Sequence, residues 1–219
     1  MRTTLLALVT IAGLALPPTL SAQGLALAGR AGTLGLGVEA AVGLGERLAV
    51  RGGVGLLPFE PSVEVEDIDF TLSLPDTWFN IGADLYLGGG FRIGGGMLFK
   101  SDDPSIEGTP NGSVEIGDET YSETEIGTIT GTFDSRDSAP YVLIGFGRHV
   151  LSGIGLFADL GVAFMGEQEV SLDADGSLSD DPEFRARLEE EERDFEEDAG
   201  SYLDYWPILN IGIKIGLGR

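Results

Sequence analysis

Between Leu34 and Leu44 every second residue is apolar: Leu34, Leu36, Val38, Ala40, Val42 and Leu44 alternate with Gly35, Gly37, Glu39, Ala41 and Gly43. A period of two specifies a strand with two unlike faces. The run is also as long as the ~9–11 residues with which a tilted strand crosses a bilayer. The pattern returns at Leu48, Val50, Gly52, Val54 and Leu56, then at Phe79, Ile81, Ala83, Leu85 and Leu87. Further copies lie at Phe91, Ile93, Gly95, Met97 and Phe99, at Val142, Ile144 and Phe146, at Leu156 through Phe164, and at Leu209 through Leu217. Seven strands are thus expected, and no continuous apolar stretch reaches the ~18 residues of a spanning helix.

The opposite face discriminates between the two folds that such strands can build. It carries much of the chain's complement of 34 glycines together with Glu39, Arg51, Asn80, Asp84, Arg92, Asp159, Asn210 and Lys214. A soluble sandwich buries its apolar face and shows water a polar one, with no need for so much glycine. A small barrel turns its apolar face to lipid and packs a tight polar interior, in which glycine leaves room for long charged neighbours. The sequence therefore predicts an all-β, antiparallel up-and-down transmembrane barrel, with a periplasmic β-sandwich binding protein as the alternative. Antiparallel closure needs an even number of strands. Residues 24–31, where Leu25 and Leu27 alternate with Ala26 and Ala28 before a turn around Arg30-Gly32, are the favoured eighth; the rival is a strand from residues 113–133.

Residues 1–22 read as a secretory signal peptide: Arg2 precedes an apolar run from Leu5 to Leu16, and Leu20-Ser21-Ala22 offers small residues for cleavage before Gln23. The barrel domain is then 23–219. Its connections alternate between short (45–47, 88–90, 148–153) and long (59–76, 101–139, 166–203). Short periplasmic turns opposite long extracellular loops are the outer-membrane arrangement, and every long loop falls on one side.

The formal charge of −23 resides mostly in those loops, and it excludes nucleic acid as a partner, since phosphates would be repelled. The absence of Cys excludes a disulfide scaffold, and 42% hydrophobic residues exclude a disordered acidic chain. Residues 166–204 hold 16 acidic residues against Arg185, Arg187 and Arg193. Within them Asp181 as N-cap and Pro182 at the first helical position start a short acidic helix that ends near Asp198, with Phe184, Leu188 and Phe195 as a narrow apolar stripe. Asp173, Asp175 and Asp181 form a weak candidate cation loop. It fails the calcium-loop template because Gly176 comes two positions early and Phe184 stands where a bidentate Glu belongs. Divalent cations between acidic loops and lipopolysaccharide phosphates are a further expected partner.

No catalytic constellation is legible, and neither enzymatic activity nor a cofactor is expected. Gly35-x-Gly37-x-x-Ala40 matches a dinucleotide fingerprint by count only, inside a strand with no helix after it. His149, the only histidine, has no nucleophile to serve. Asn111-Gly112-Ser113 is an incidental sequon, and Asp102-Asp103 has no catalytic partner. The inward charges say more. Glu39, Asp84 and Asp159 oppose Arg51, Arg92 and Lys214, three of each sign, with Lys100 nearer a rim. In a narrow lumen they are expected to pair across strands as a charge network, because isolated buried charges are costly.

At Gly32 through Glu39, Ala139-Pro140-Tyr141, Ala158 through Gly166 and Trp206-Pro207-Ile208-Leu209, the chain resembles a family of small, mostly uncharacterised Gram-negative outer-membrane β-barrel proteins. The resemblance spans most of the mature chain, including the acidic helix before the last strand. It implies eight strands, contact with outer-membrane lipid and lipopolysaccharide, and assembly by the outer-membrane insertion machinery; it implies no ligand residues. One departure is the ending Leu217-Gly218-Arg219, where such barrels carry an aromatic residue. The expected function is a structural or surface-interaction role with a largely closed polar lumen, the alternative being a narrow channel for small solutes or zwitterions.

Overall fold

Each alternating run becomes a strand, and the long connections add strands of their own. The computed structural model describes residues 24–57, 60–65, 68–117, 119–147 and 153–217. The expected signal peptide, His149 and the terminal Gly218-Arg219 lie outside the described residues. In chain order the first strands are β1 (Gly24–Gly32), β2 (Leu36–Leu44), β3 (Leu48–Leu56), β4 (Ser62–Val65), β5 (Ile68–Ser73), β6 (Thr77–Gly88) and β7 (Phe91–Lys100). Next come β8 (Ser105–Pro110), β9 (Val114–Ile116), β10 (Glu119–Tyr121), the single turn α1 (Glu123–Ile126), β11 (Ile129–Asp134) and β12 (Ser138–Gly147). Finally β13 (Gly153–Phe164), β14 (Glu169–Ala174), α2 (Pro182–Leu203) and β15 (Tyr205–Gly216) complete the chain.

Eight strands close a barrel in the order β1-β15-β13-β12-β7-β6-β3-β2. The eighth strand is β1, which pairs with β2 (Leu25 opposite Val42) and with β15 (Leu27 opposite Ile215). The rival segment, 113–133, instead supplies β9, β10, α1 and most of β11 outside the barrel. The outward row is apolar and open, with Leu156 75% and Ile211 68% exposed, while the inward row is buried. Side-chain alternation in an eight-stranded barrel forces this division, and lipid is the medium that makes an apolar exterior stable. Aromatics mark both rims of the apolar band. Phe164 packs on Tyr205 at 5.8 Å near the loop end, and Phe91 on Phe146 at 5.2 Å near the turn end.

One position departs from the sequence reading. Leu34 is buried, 2% exposed, because the chain turns there rather than continuing as a strand. Gly35 adopts φ +79, donates to Gly32 O at 3.0 Å, and would drive a Cβ into the Leu56 backbone. The turn swings Leu34 over the barrel mouth, and outward alternation starts at Leu36.

The three long connections fold together as a cap. Strands β14-β11-β8-β5-β4 form one antiparallel sheet, and β9 and β10 a separate hairpin. In α2, Asp181 Oδ1 accepts from Glu183 N at 2.9 Å and Phe184 N at 3.1 Å, the expected N-cap, but the helix runs beyond Asp198 to Leu203. Phe184 and Leu188 bury against Ile116, Tyr121 and Ile126; Phe195 remains half-exposed beside Phe133. Several of the helix's acids are structural. Glu192 and Glu196 accept from Leu172 N at 2.6 Å and Val170 N at 2.8 Å, so the helix satisfies donors along the edge strand β14. At α1, Ser122 N and Oγ donate to Glu125 at 2.8 and 2.7 Å, and these bonds hold its carboxyl below the usual range. Replacing Asp181 with alanine is expected to cost about 0.5–2 kcal/mol locally. Faster amide exchange at Glu183 and Phe184, with barrel amides unchanged, is the measurement that checks it.

Candidate functional site

Strand alternation sends one charged side chain from each of six barrel strands to the lumen at neighbouring heights. Arg51 on β3 reaches Glu39 on β2 at 3.3 Å, Asp84 on β6 at 3.4 Å and Asp159 on β13 at 3.0 Å. Since β3 and β13 stand opposite each other in the strand order, the Arg51 to Asp159 bridge crosses the lumen. Arg92 on β7 pairs with Asp84 at 3.1 Å and also with Asp159. Arg30 on β1 lies 3.9 Å from Glu39. All six are 7% exposed or less. Three guanidinium groups thus neutralise three carboxylates where an uncompensated charge would be expensive. The guanidinium planes also sit on aromatic rings: Arg51 on Tyr141, and Arg92 on Tyr86 and Phe157.

Five of the six charges expected from sequence lie in this belt. Lys214 does not: it forms none of the ion pairs among the described residues and donates to the Tyr86 hydroxyl at 3.3 Å, nearer the turn end. Arg30, which the sequence reading assigned to a turn, stands inward instead. The signal was present, since Ala26, Ala28 and Arg30 continue one face of β1.

Glycine makes the belt compact. A Cβ built on Gly145 would lie 2.6 Å from Asp159 Oδ1 and 2.7 Å from Arg92 Cζ. Gly145→Ala is therefore expected to push this pair apart and cost about 1–3 kcal/mol by overpacking. Gly29→Ala, with nothing within 4 Å of its new Cβ, is expected to leave stability nearly unchanged. Urea unfolding of both variants in lipid vesicles compares them.

Above the belt, at the loop end, the lumen is apolar. Trp78 and Trp206 pack against each other, tilted by 42° with ring centroids 4.8 Å apart, among Leu34, Leu57, Leu98 and Ile208. At the rim, buried Lys100 pairs with Asp103, whose carboxylate also accepts from Ser135 N at 3.3 Å, tying the second long connection to β7. Below the belt lie Tyr86, Lys214 and the small side chains Ala26, Ala41 and Ala49.

The weak cation candidates do not converge. Asp175 accepts from Thr128 N at 2.6 Å, Asp181 caps α2, and Asp173 lies on β14 opposite Thr130. Among the described residues no three acidic or histidine side chains are placed to hold a metal ion.

No protein-family model matches the sequence, and neither does any curated protein. Solved structures do match. Acinetobacter baumannii CarO2 superposes with a TM-score of 0.64 at 18% identity, over 89% of this chain and 99% of that one. CarO of Acinetobacter baumannii gives 0.58 at 17% identity, over 89% and 97%. The fold is that of a small outer-membrane β-barrel, as the sequence pattern predicts.

Proposed function

We propose that the protein is an outer-membrane barrel with a structural or surface-interaction role, whose lumen is closed and whose extracellular cap is its working surface. The observation that carries this reading is the double obstruction. The Arg51-centred belt crosses the lumen, and the Trp78-Trp206 cluster fills the mouth above it. Eight strands leave an interior just wide enough for side chains, and here both layers occupy it. The role is non-enzymatic. The cap meets the lipopolysaccharide layer, with divalent cations bridging its carboxylates to lipid phosphates.

Planar-bilayer recording of refolded protein tests the closed lumen. The wild type is expected to be silent over long recordings. A steady conductance with selectivity for small zwitterions would replace this reading with the narrow-channel one.

A further inference from the structure

The link between β8 and β9 is Asn111-Gly112-Ser113, and all of it is exposed. Its two ends are anchored. Pro110 closes β8 opposite Ile68 with its side chain fully buried, and Val114 opens β9 opposite Tyr121. Between these anchors Gly112 adopts φ +134, and a Cβ built there would meet no heavy atom within 4 Å. An asparagine followed by glycine carries a chemistry of its own. Its side-chain carbonyl carbon and the next backbone nitrogen close a five-membered ring, and glycine has no side chain to shield that nitrogen.

Elsewhere in the chain the same chemistry is blocked by visible structure. The other two asparagines, Asn80 and Asn210, are buried on barrel strands, and each is followed by an isoleucine paired in the sheet. Asp175-Gly176 is the closest chemical equivalent in the cap, and it is locked. Gly176 N donates to Ile126 O at 2.7 Å, while Asp175 Oδ1 accepts from Thr128 N at 2.6 Å. Ring closure there has to break both bonds, whereas at Asn111 it leaves every ladder pair of β8 and β9 in place.

We infer that Asn111 is a modification site, at which the folded protein deamidates spontaneously through a cyclic imide with Gly112. The Gly112 nitrogen loses its proton and attacks Asn111 Cγ; the new N–Cγ bond forms as the Cγ–Nδ2 bond breaks, and ammonia leaves. Water then opens the imide. Addition at Cγ gives aspartate, and addition at the backbone carbonyl gives isoaspartate, in which the chain runs on through Cγ. The sum is amide plus water to carboxylate plus ammonium, with no redox change and no cofactor. The product adds one negative charge to a chain already at −23 and, as isoaspartate, one methylene to the backbone between the cap sheet and the β9-β10 hairpin. The reaction is independent of whether the lumen conducts.

Refolded full-length mature protein in detergent is incubated at physiological temperature, in parallel with the same protein unfolded in denaturant. Peptide mass spectrometry follows the amide-to-acid mass change at each asparagine, with fragmentation that separates isoaspartate from aspartate. Asn111 is expected to convert in the folded protein within about threefold of its rate in the unfolded chain, since the link needs no opening to react. Asn80 and Asn210 stay intact in the folded protein, and isoaspartate at Asp175 forms at least about tenfold more slowly there than in the unfolded chain. Conversion of Asn111 rises with pH, because the attacking nitrogen must lose its proton, and Asn111→Gln removes the signal. Asn111 intact in both samples, or converted only in the unfolded one, would overturn the assignment. So would folded-state conversion of Asn80 or Asn210 at the same rate as Asn111, which would mean that the fold makes no distinction among the three. The wild-type comparison decides the matter even if the variant fails to refold.

Discussion

Arg51→Ala is expected to lower the unfolding free energy of the barrel by about 3–5 kcal/mol, the largest effect of any single truncation in the lumen. Among the described residues Arg51 alone pairs with Glu39, Asp84 and Asp159 together. Removing it leaves Glu39 with the distant Arg30, and leaves two carboxylates sharing Arg92. The loss exceeds what the pairs contribute against an apolar replacement, because the partners stay buried and uncompensated. Urea unfolding in lipid vesicles measures the effect. A double-mutant cycle with Glu39→Ala should recover part of the loss, since the second change removes one orphaned charge. Wild-type stability of Arg51→Ala would show that the belt does not neutralise the lumen.

Ile211→Arg is expected to cost about 2–4 kcal/mol, by a different route. Ile211 lies near the middle of β15, 68% exposed and flanked by Ala31 and Ala158, so an arginine there has lipid around it and no carboxylate to meet. Depth sets the cost. The same substitution at Tyr205, at the loop-end rim, is expected to cost no more than about 1 kcal/mol. Vesicle unfolding of both variants checks the gradient, and equal stabilities would mean that the apolar band has been placed at the wrong height.

The barrel was legible because its strands are long and two-faced. Alternation over residues such as 36–44 needs no tertiary information, since each residue declares its own side. The missed elements are of another kind. Strands β5, β8, β11 and β14 span six residues each, mix polar with apolar positions, and each finds a partner in another connection. Pairing of this sort leaves almost no local trace. The roles of the acids of α2 escape the sequence for the same reason: that Glu192 and Glu196 serve the β14 backbone depends on a packing that no spacing reveals.

For the lumen, alternation gave the side and not the height. Height depends on strand stagger, which sets Lys214 opposite Gly155 and Ala28, toward the turn end, and brings Asp159 to the level of Gly145 and Asn210. That stagger separates Lys214 from the carboxylates and admits Arg30. The flanking Gly29 and Gly32 made Arg30 look like part of a turn, although both are paired in β1.

The woven cap also governs how such a surface can change over generations. Loops that stand alone can be exchanged one at a time, but here the three connections share one sheet, the second joined to the third through β11-β14 and to the first through β8-β5. Altering the length of one dislodges its neighbours, and drift in one segment must be answered in the next. Freedom is confined to places outside the weave. Asn111-Gly112-Ser113, exposed between β8 and β9 with Gly112 at φ +134, is such a place. A foreign peptide grafted there is expected to leave the register of the sheet beneath unchanged.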